Sequence, residues 1–387
     1  MKTIGVYLVA KPFIGGSYQY NLSIIKALSS LNEENYKIRA FYHDESWSTI
    51  LPDHFSKILT KKPSFLYRGL SKLYRLIDRT AKGLRRFDSV FNPMARLINR
   101  SDCNLVIFPS QDVMAYTTSI KSITSIHDLM HRYEGHFEEY QNGVIVERDK
   151  HYTMICKHSD GILVDSNIGK THVIESYNID SNKIFVLPFV PPYYLLNSKE
   201  IDICSLFNLP DKFIFYPAQF WEHKNHSILL KAIKVLKDRG VNINLVLVGS
   251  KKNNYNKVIS EISEYCLEDN VKILGYVSND EIYSLYKKAI AMTFVSLIGP
   301  TNIPPMEAML CGCPLICSNA YAMPDQTGNA AILFDPLDVS GLATAIERIW
   351  TNESLRSELI LNGLDKIKEY NQNNFNTNLE NLICKLI

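Results

Sequence analysis

Residues 291–318 read AMTFVSLIGPTNIPPMEAMLCGCPLICS. Ala291–Ser296 is a run of apolar and β-prone residues, and Pro314–Ser318 is a second one. Between them Gly299 suits a turn. Pro304 and Pro305 suit the first turn of a helix, where a backbone N–H has no intrahelical partner to lose. The stretch therefore predicts strand, loop, helix, strand. A helix joining two short, continuously apolar strands is the repeat of a parallel sheet covered on both faces.

The same alternation continues in both directions. Upstream strands are expected at Thr3–Ala10, Lys37–Tyr42, Asn104–Pro109, Ser122–His127, Gly161–Asp165 and Lys183–Pro188. A second series comprises Phe213–Ala218, Ile243–Gly249, Val271–Tyr276, Ala291–Ser296, Pro314–Ser318 and Ala331–Phe334. Residues 18–31 and 226–239 carry apolar side chains at helical spacing, and Ser278 with Glu281 forms a capping-box pattern. The fold class is therefore α/β, with two doubly wound sheets. The expected domains are residues 1–195 and 205–365, joined around Val190-Pro191-Pro192, with a terminal helix over 366–387 placed to cross back to the first.

The composition is globular: 46% hydrophobic and 21% charged over 387 residues. No run of about 18 apolar residues predicts a membrane span. Met1–Ala10 reads as a strand and not as a signal peptide, so a cytoplasmic location is expected. Eight cysteines without metal-ligand spacing read as reduced thiols. The net charge of +2 conceals an asymmetry: Lys57–Arg100 holds twelve basic residues and two acidic ones. Apolar residues interleave with those charges, which predicts cationic amphipathic helices suited to an anionic membrane surface. No nucleic-acid-binding motif accompanies them, so no nucleic-acid partner is expected.

Open α/β sheets bind ligands beyond the carboxyl ends of their strands. Four stretches stand there. Lys11-Pro12-Phe13-Ile14-Gly15-Gly16 follows the first strand, and its glycines allow close backbone approach ahead of a helix. His127-Asp128 ends another strand. Gln219 to Asn225 includes Lys224, a cation placed before a helix, where it needs an anion to justify it. Gly299 to Glu307 offers the N–H groups of Thr301, Asn302 and Ile303. It also carries Glu307, an acid whose apolar neighbours predict partial burial and a ligand partner.

These four stretches, in this order, resemble the family 4 retaining glycosyltransferases. That resemblance implies the GT-B architecture, two Rossmann-like domains facing across a cleft, and transfer from a UDP- or GDP-linked sugar without further cofactor. It implies that Glu307 holds the donor ribose, Lys224 the diphosphate, and His127 the transferred sugar. Gly15, Gly16 and the loop Thr301–Ile303 are implied to approach the phosphates or sugar. The sequence departs from the pattern twice. Gly299 occupies the position of the family's first acid, and Gln219 stands where many members carry Arg. No Asp-x-Asp triplet occurs, so metal-independent transfer is expected. The acceptor suggested by the basic segment is a lipid-linked saccharide of a surface polysaccharide such as O-antigen or lipopolysaccharide. Two alternatives stay open: a nucleotide-sugar epimerase of the same architecture, and a non-catalytic transferase-like binding protein, which the Gly299 departure favours.

Overall fold

The computed structural model describes residues 1–12, 15–60, 65–77 and 80–387. Phe13 and Ile14 of the glycine loop, and residues 61–64 and 78–79 of the basic segment, lie outside the described residues.

The chain divides into two compact units. The first holds Met1–Tyr133, Tyr140–Val190 and Gln372–Ile387, and the second holds Glu134–Glu139 and Pro191–Asn371. The dividing point at Val190 lies just before the Pro191-Pro192 pair. Two features were not anticipated: a six-residue piece of the early chain counts with the second unit, and the terminal piece that counts with the first begins at Gln372 and not at 366.

In the first unit seven parallel strands are β1 Lys2–Leu8, β2 Tyr36–Tyr42, β3 Ser56–Leu59, β4 Leu105–Phe108, β5 Ser122–Ser125, β6 Gly161–Val164 and β7 Ile184–Val186. Their spatial order is β3-β2-β1-β4-β5-β6-β7. The register runs from Lys2 opposite Tyr36 to Leu8 opposite Tyr42 between β1 and β2. All expected strands are present, most of them shorter than read. β3 was not anticipated: Ser56-Lys57-Ile58-Leu59 is an edge strand with half its residues polar and none fully buried, so it lacks the continuous apolar signal. The terminal helix Gln372–Leu386 buries Phe375, Leu379, Leu382 and Ile383 in this unit's core with Ile24, Leu28 and Tyr20.

The second unit has six parallel strands: β8 Ile214–Pro217, β9 Leu245–Val248, β10 Val271–Gly275, β11 Ala291–Phe294, β12 Leu315–Ser318 and β13 Ala331–Phe334. Their order is β10-β9-β8-β11-β12-β13. Every residue of β9, β11 and β12 is buried, which is why these segments read as continuously apolar. The helix Asn279–Lys288 opens with the full capping box, Ser278 Oγ accepting from Glu281 N and Glu281 Oε2 accepting from Ser278 N. The eight cysteines are free thiols. Among the described residues no helix is long and apolar enough to cross a membrane.

In both sheets the strand order reverses beside the first strand of the series, between β1 and β4 and between β8 and β11. Loops leaving the carboxyl ends of such a pair diverge to opposite faces and leave a crevice. The stretches singled out above at Gly15, Lys224 and Gly299 leave β1, β8 and β11, and His127 follows β5.

Candidate functional site

The second unit's site is built on the loops after β8 and β11. The first loop is held by backbone bonds: Ala218 N donates to Val248 O at 2.8 Å, and Phe220 N donates to Ser250 O at 3.1 Å. Gly249 makes this approach possible. Its φ is +154°, and a Cβ there would lie 2.2 Å from Ala218 O. Glu222–Lys224 then forms a single tight turn. Asn225, left-handed at φ 56°, reverses the chain into the helix His226–Asp238. Tyr216 Oη donates to Lys224 O at 2.9 Å, and Leu297 N donates to His223 O at 2.9 Å. The turn that carries Lys224 is thus fastened to β8 beneath it and to the loop after β11 beside it.

The Lys224 ammonium is half-buried, 3.4 Å from Ser296 Oγ, 3.5 Å from Asn302 Oδ1 and 5.4 Å from the centre of the Phe294 ring. These are long contacts to neutral groups. Among the described residues no carboxylate forms an ion pair with it. Burial penalises the charged form and pushes the lysine down to about 8, with Glu139 acting in the opposite sense. A half-buried cation with no direct ion pair among the described residues is suited to receive an anion.

The loop after β11 explains the first departure. Gly299 has φ +136°, and a Cβ on it would lie 2.4 Å from Asn302 Nδ2. No acid fits there in this conformation, because both the dihedral and the space exclude a side chain. Asn302 is fixed on all sides. Its N–H donates to Gln326 Oε1 at 3.1 Å, and its carbonyl accepts from Gln326 Nε2 at 2.6 Å. Its side-chain amide reaches Met323 Sδ at 3.6 Å. The Asn302 N–H is therefore spent within the protein and is not the open donor that was expected. Pro304 and Pro305 bring no N–H to the first turn of the helix Ile303–Cys311, and Thr301 and Ile303 are half-buried beside it.

Glu307 sits one turn further on and is buried, 7% exposed. The apolar neighbours correctly announced burial. Both of its oxygens are already engaged: Tyr194 Oη donates to Oε1 at 2.6 Å and Tyr286 Oη to Oε2 at 2.7 Å. Burial raises its pKa, and the two phenols oppose that rise. A ribose would meet this carboxylate with two protein donors in place. Gln219 is exposed, and its Oε1 accepts from Trp221 Nε1 at 3.0 Å. It supplies no charge, so Lys224 is the cation of this corner.

In the first unit Gly15 starts the helix Gly15–Ser29 with φ 72°, and no atom lies within 4 Å of a Cβ built there. Gly16 follows inside the first turn. Tyr20 on the same helix places its ring edge-to-face with His127, centroids 4.8 Å apart, and Phe189 lies 5.6 Å from His127 on another side. His127 Nε2 is 3.0 Å from Pro109 O, so Nε2 carries the proton and donates. Burial lowers its pKa and keeps the ring neutral, which leaves Nδ1 as an acceptor. Asp128 pairs with Arg148 at 3.0 Å, and its charge opposes the lowering of the His127 pKa.

Sequence reasoning therefore marked Lys224, Gly299 and Asn302, which the structure brings to one corner, and placed Gly15, Gly16 and His127 in one unit. It missed Ser296, Gln326, Tyr194, Tyr286 and Gly249. Gly249, directly after an apolar strand, and Ser296, at the end of an expected strand three residues before Gly299, had a readable signal. Gln326, Tyr194 and Tyr286 reach the site from distant positions.

Residues 197–366 match the family described as Glycosyl transferases group 1. An O-antigen chain mannosyltransferase, RfbU, of Salmonella typhimurium is 30% identical over 194 residues, half of this chain and 51% of that one. The chain spans about half the length of the curated relatives it matches. Among solved structures, the sucrose-phosphate synthase of Thermosynechococcus elongatus superposes over the whole chain with a TM-score of 0.74 at 18% identity, covering 99% of that protein. Anabaena HepE, in complex with UDP and glucose, superposes with a TM-score of 0.72 at 15% identity, each chain fully covered. The two parallel sheets with these strand orders have the GT-B fold, and residues 197–366, within the second unit, are similar to the glycosyl transferases of group 1.

Proposed function

We propose that the protein is a retaining glycosyltransferase that moves a hexose-type sugar from a UDP- or GDP-linked donor to a hydroxyl of a lipid-linked saccharide during surface polysaccharide synthesis. The observation that carries this reading is the Lys224 ammonium at the β8/β11 switch point, half-buried with neutral partners at 3.4 and 3.5 Å. A diphosphate supplies the direct ion pair that this cation lacks among the described residues. As the sugar–phosphate bond breaks, negative charge grows on the departing diphosphate, and a preorganised cation there lowers the barrier. Retention follows if the acceptor hydroxyl attacks from the face that the diphosphate leaves. His127 Nδ1 is the neutral acceptor we assign to a sugar hydroxyl. The mannosyltransferase relative and the UDP-bound structural neighbour support the donor class. We assign no metal to the diphosphate. Transfer that EDTA abolishes and Mg²⁺ restores overturns that assignment.

The basic segment supports docking on an anionic membrane from the cytoplasmic side. Its helices Phe65–Ile77 and Ala81–Phe91 expose Phe65, Leu73, Val90 and Phe91 beside the exposed Lys82 and Arg86. Each basic residue near such a surface contributes about 1 kcal/mol. Flotation with anionic and neutral vesicles tests this, and equal recovery on both overturns it.

Thermal unfolding with UDP, GDP, ADP and their sugar conjugates tests the donor reading. A ligand at about 100 times its Kd stabilises by about 2.7 kcal/mol. A shift with one base that Lys224→Met loses supports the reading; no shift with any nucleotide overturns it.

A further inference from the structure

The segment Glu134–Glu139 belongs to the second unit although its neighbours in sequence on both sides belong to the first. Three side-chain contacts clasp it there. Tyr321 Oη donates to Glu134 Oε1 at 2.5 Å, Asn253 Nδ2 donates to Glu138 Oε2 at 2.9 Å, and His223 Nδ1 lies 2.5 Å from Glu139 Oε1. The third contact delivers an acid to the corner already described. His223 directly precedes Lys224, and its carbonyl accepts from Leu297 N of the loop after β11. Glu139 is the acid whose charge bears on the Lys224 ammonium.

The two oxygens of Glu139 are unequal. Oε1 lies 2.5 Å from His223 Nδ1. Oε2 is buried, and among the described residues no donor reaches it. The side chain is 15% exposed, so bulk water is not a ready substitute. Carboxylate oxygens in such places are rarely left without a donor. The loop 297–303, whose Leu297 N donates to the His223 carbonyl, has no acid among Leu, Ile, Gly, Pro, Thr, Asn and Ile, and Gly299 excludes one sterically. The corner therefore presents one cation for an anion and, beside it, one carboxylate oxygen for a neutral donor. A ligand with a diphosphate adjoining a ring of hydroxyls matches both demands at once.

We infer that Glu139, held in place by His223, accepts a hydroxyl of the sugar attached to the donor diphosphate. This rests on the donor reading above and adds to it a residue that recognises the sugar and not the nucleotide. Glu139 comes from a stretch with no motif character, and its partner His223 is a positioning residue.

The test compares each diphosphate with its own sugar conjugate on the full chain. Calorimetric titration of UDP against UDP-glucose, and of GDP against GDP-mannose, gives a Kd ratio for the wild type. Glu139→Met is expected to leave the bare diphosphate within about twofold and to weaken the conjugate about tenfold (about 1.4 kcal/mol), so that the ratio moves. Glu139→Asp keeps the charge but withdraws the carboxylate. It is expected to move the ratio the same way, and it serves if the methionine variant does not fold. An unchanged ratio, or equal weakening of both ligands, overturns the inference. If the wild type binds none of the four ligands, it is the donor reading that fails, and the inference falls with it.

Discussion

Gly15 and Gly299 each follow a strand at a sheet's switch point, β1 in one case and β11 in the other, and both have positive φ. They do different work. A Cβ on Gly15 meets nothing within 4 Å, so that position asks only for the left-handed backbone. A Cβ on Gly299 strikes Asn302 at 2.4 Å, so that position asks for the dihedral and for the missing side chain together. The first glycine leaves space open. The second one fills space with its neighbour, and the neighbour in turn touches Lys224. A glycine at a ligand-binding turn is therefore not one signal: it can mark room for a ligand or tight packing that positions other groups.

The largest expected effect tests the tighter of the two. Gly299→Glu restores the family's acid but must overcome backbone strain and a steric clash, about 3 kcal/mol or more in sum. Differential scanning calorimetry should show the second unit melting lower by on the order of 5–10 °C. An unchanged melting temperature with gained activity breaks the comparison, because it means the loop accepts a side chain after all. Next, Lys224→Met should weaken nucleoside diphosphate binding by about 1.5–3 kcal/mol, read by calorimetric titration, with little change in melting.

The pH dependence sharpens the same point. The lysine titrates at about 8 in the free protein against roughly 10.4 when unfolded. Below about 8 the ammonium is present and affinity should be flat. Between about 8 and 10.4 binding must take up a proton, and affinity should fall by up to about tenfold per unit. Over the same window the unfolded chain holds the extra proton, so this group's penalty on the ligand-free fold is relieved as pH rises, opposite in sign to the binding trend. Titrations at pH 7, 8.5 and 9.5 on wild type and Lys224→Met read this, and a slope that survives in the variant assigns it to another group.

Gln326→Leu leaves the Asn302 N–H and carbonyl without their partner, which should cost about 1–3 kcal/mol in thermal unfolding and weaken nucleotide binding with it. The smallest effect belongs to Gly15→Ala, about 1 kcal/mol, from the left-handed backbone alone. If Gly15→Ala proves as damaging as Gly299→Glu, the contrast between an open and a filled glycine does not hold.

Much of the fold was legible because burial on both faces forces a strand to be apolar throughout. β9, β11 and β12 are buried at every residue and could be read with ends misplaced by only one or two positions. β3 escaped because an edge strand with polar residues has no such constraint. The site was legible in part for a similar reason. Gly299, Pro304, Lys224 and His127 each sit at a strand end or helix start, where local rules apply. Gln326, Tyr286 and Tyr194 obey no local rule, and each acts on a residue 21 to 113 positions away. Their hydroxyls and amide are indistinguishable in sequence from surface groups.

The sequence by itself determined two parallel α/β units, the strand-end loops at their switch points, and the family those loops resemble. These follow from hydrophobic period and turn chemistry, which act between near neighbours. Only the tertiary structure decided that Glu307 is held by two tyrosines, that Gly299 makes way for Asn302, and that Glu134–Glu139 counts with the second unit and brings Glu139 against His223, the residue before Lys224. Those outcomes depend on which distant polar groups find one another once apolar burial has set the backbone, and a buried polar atom takes whichever donor the fold delivers.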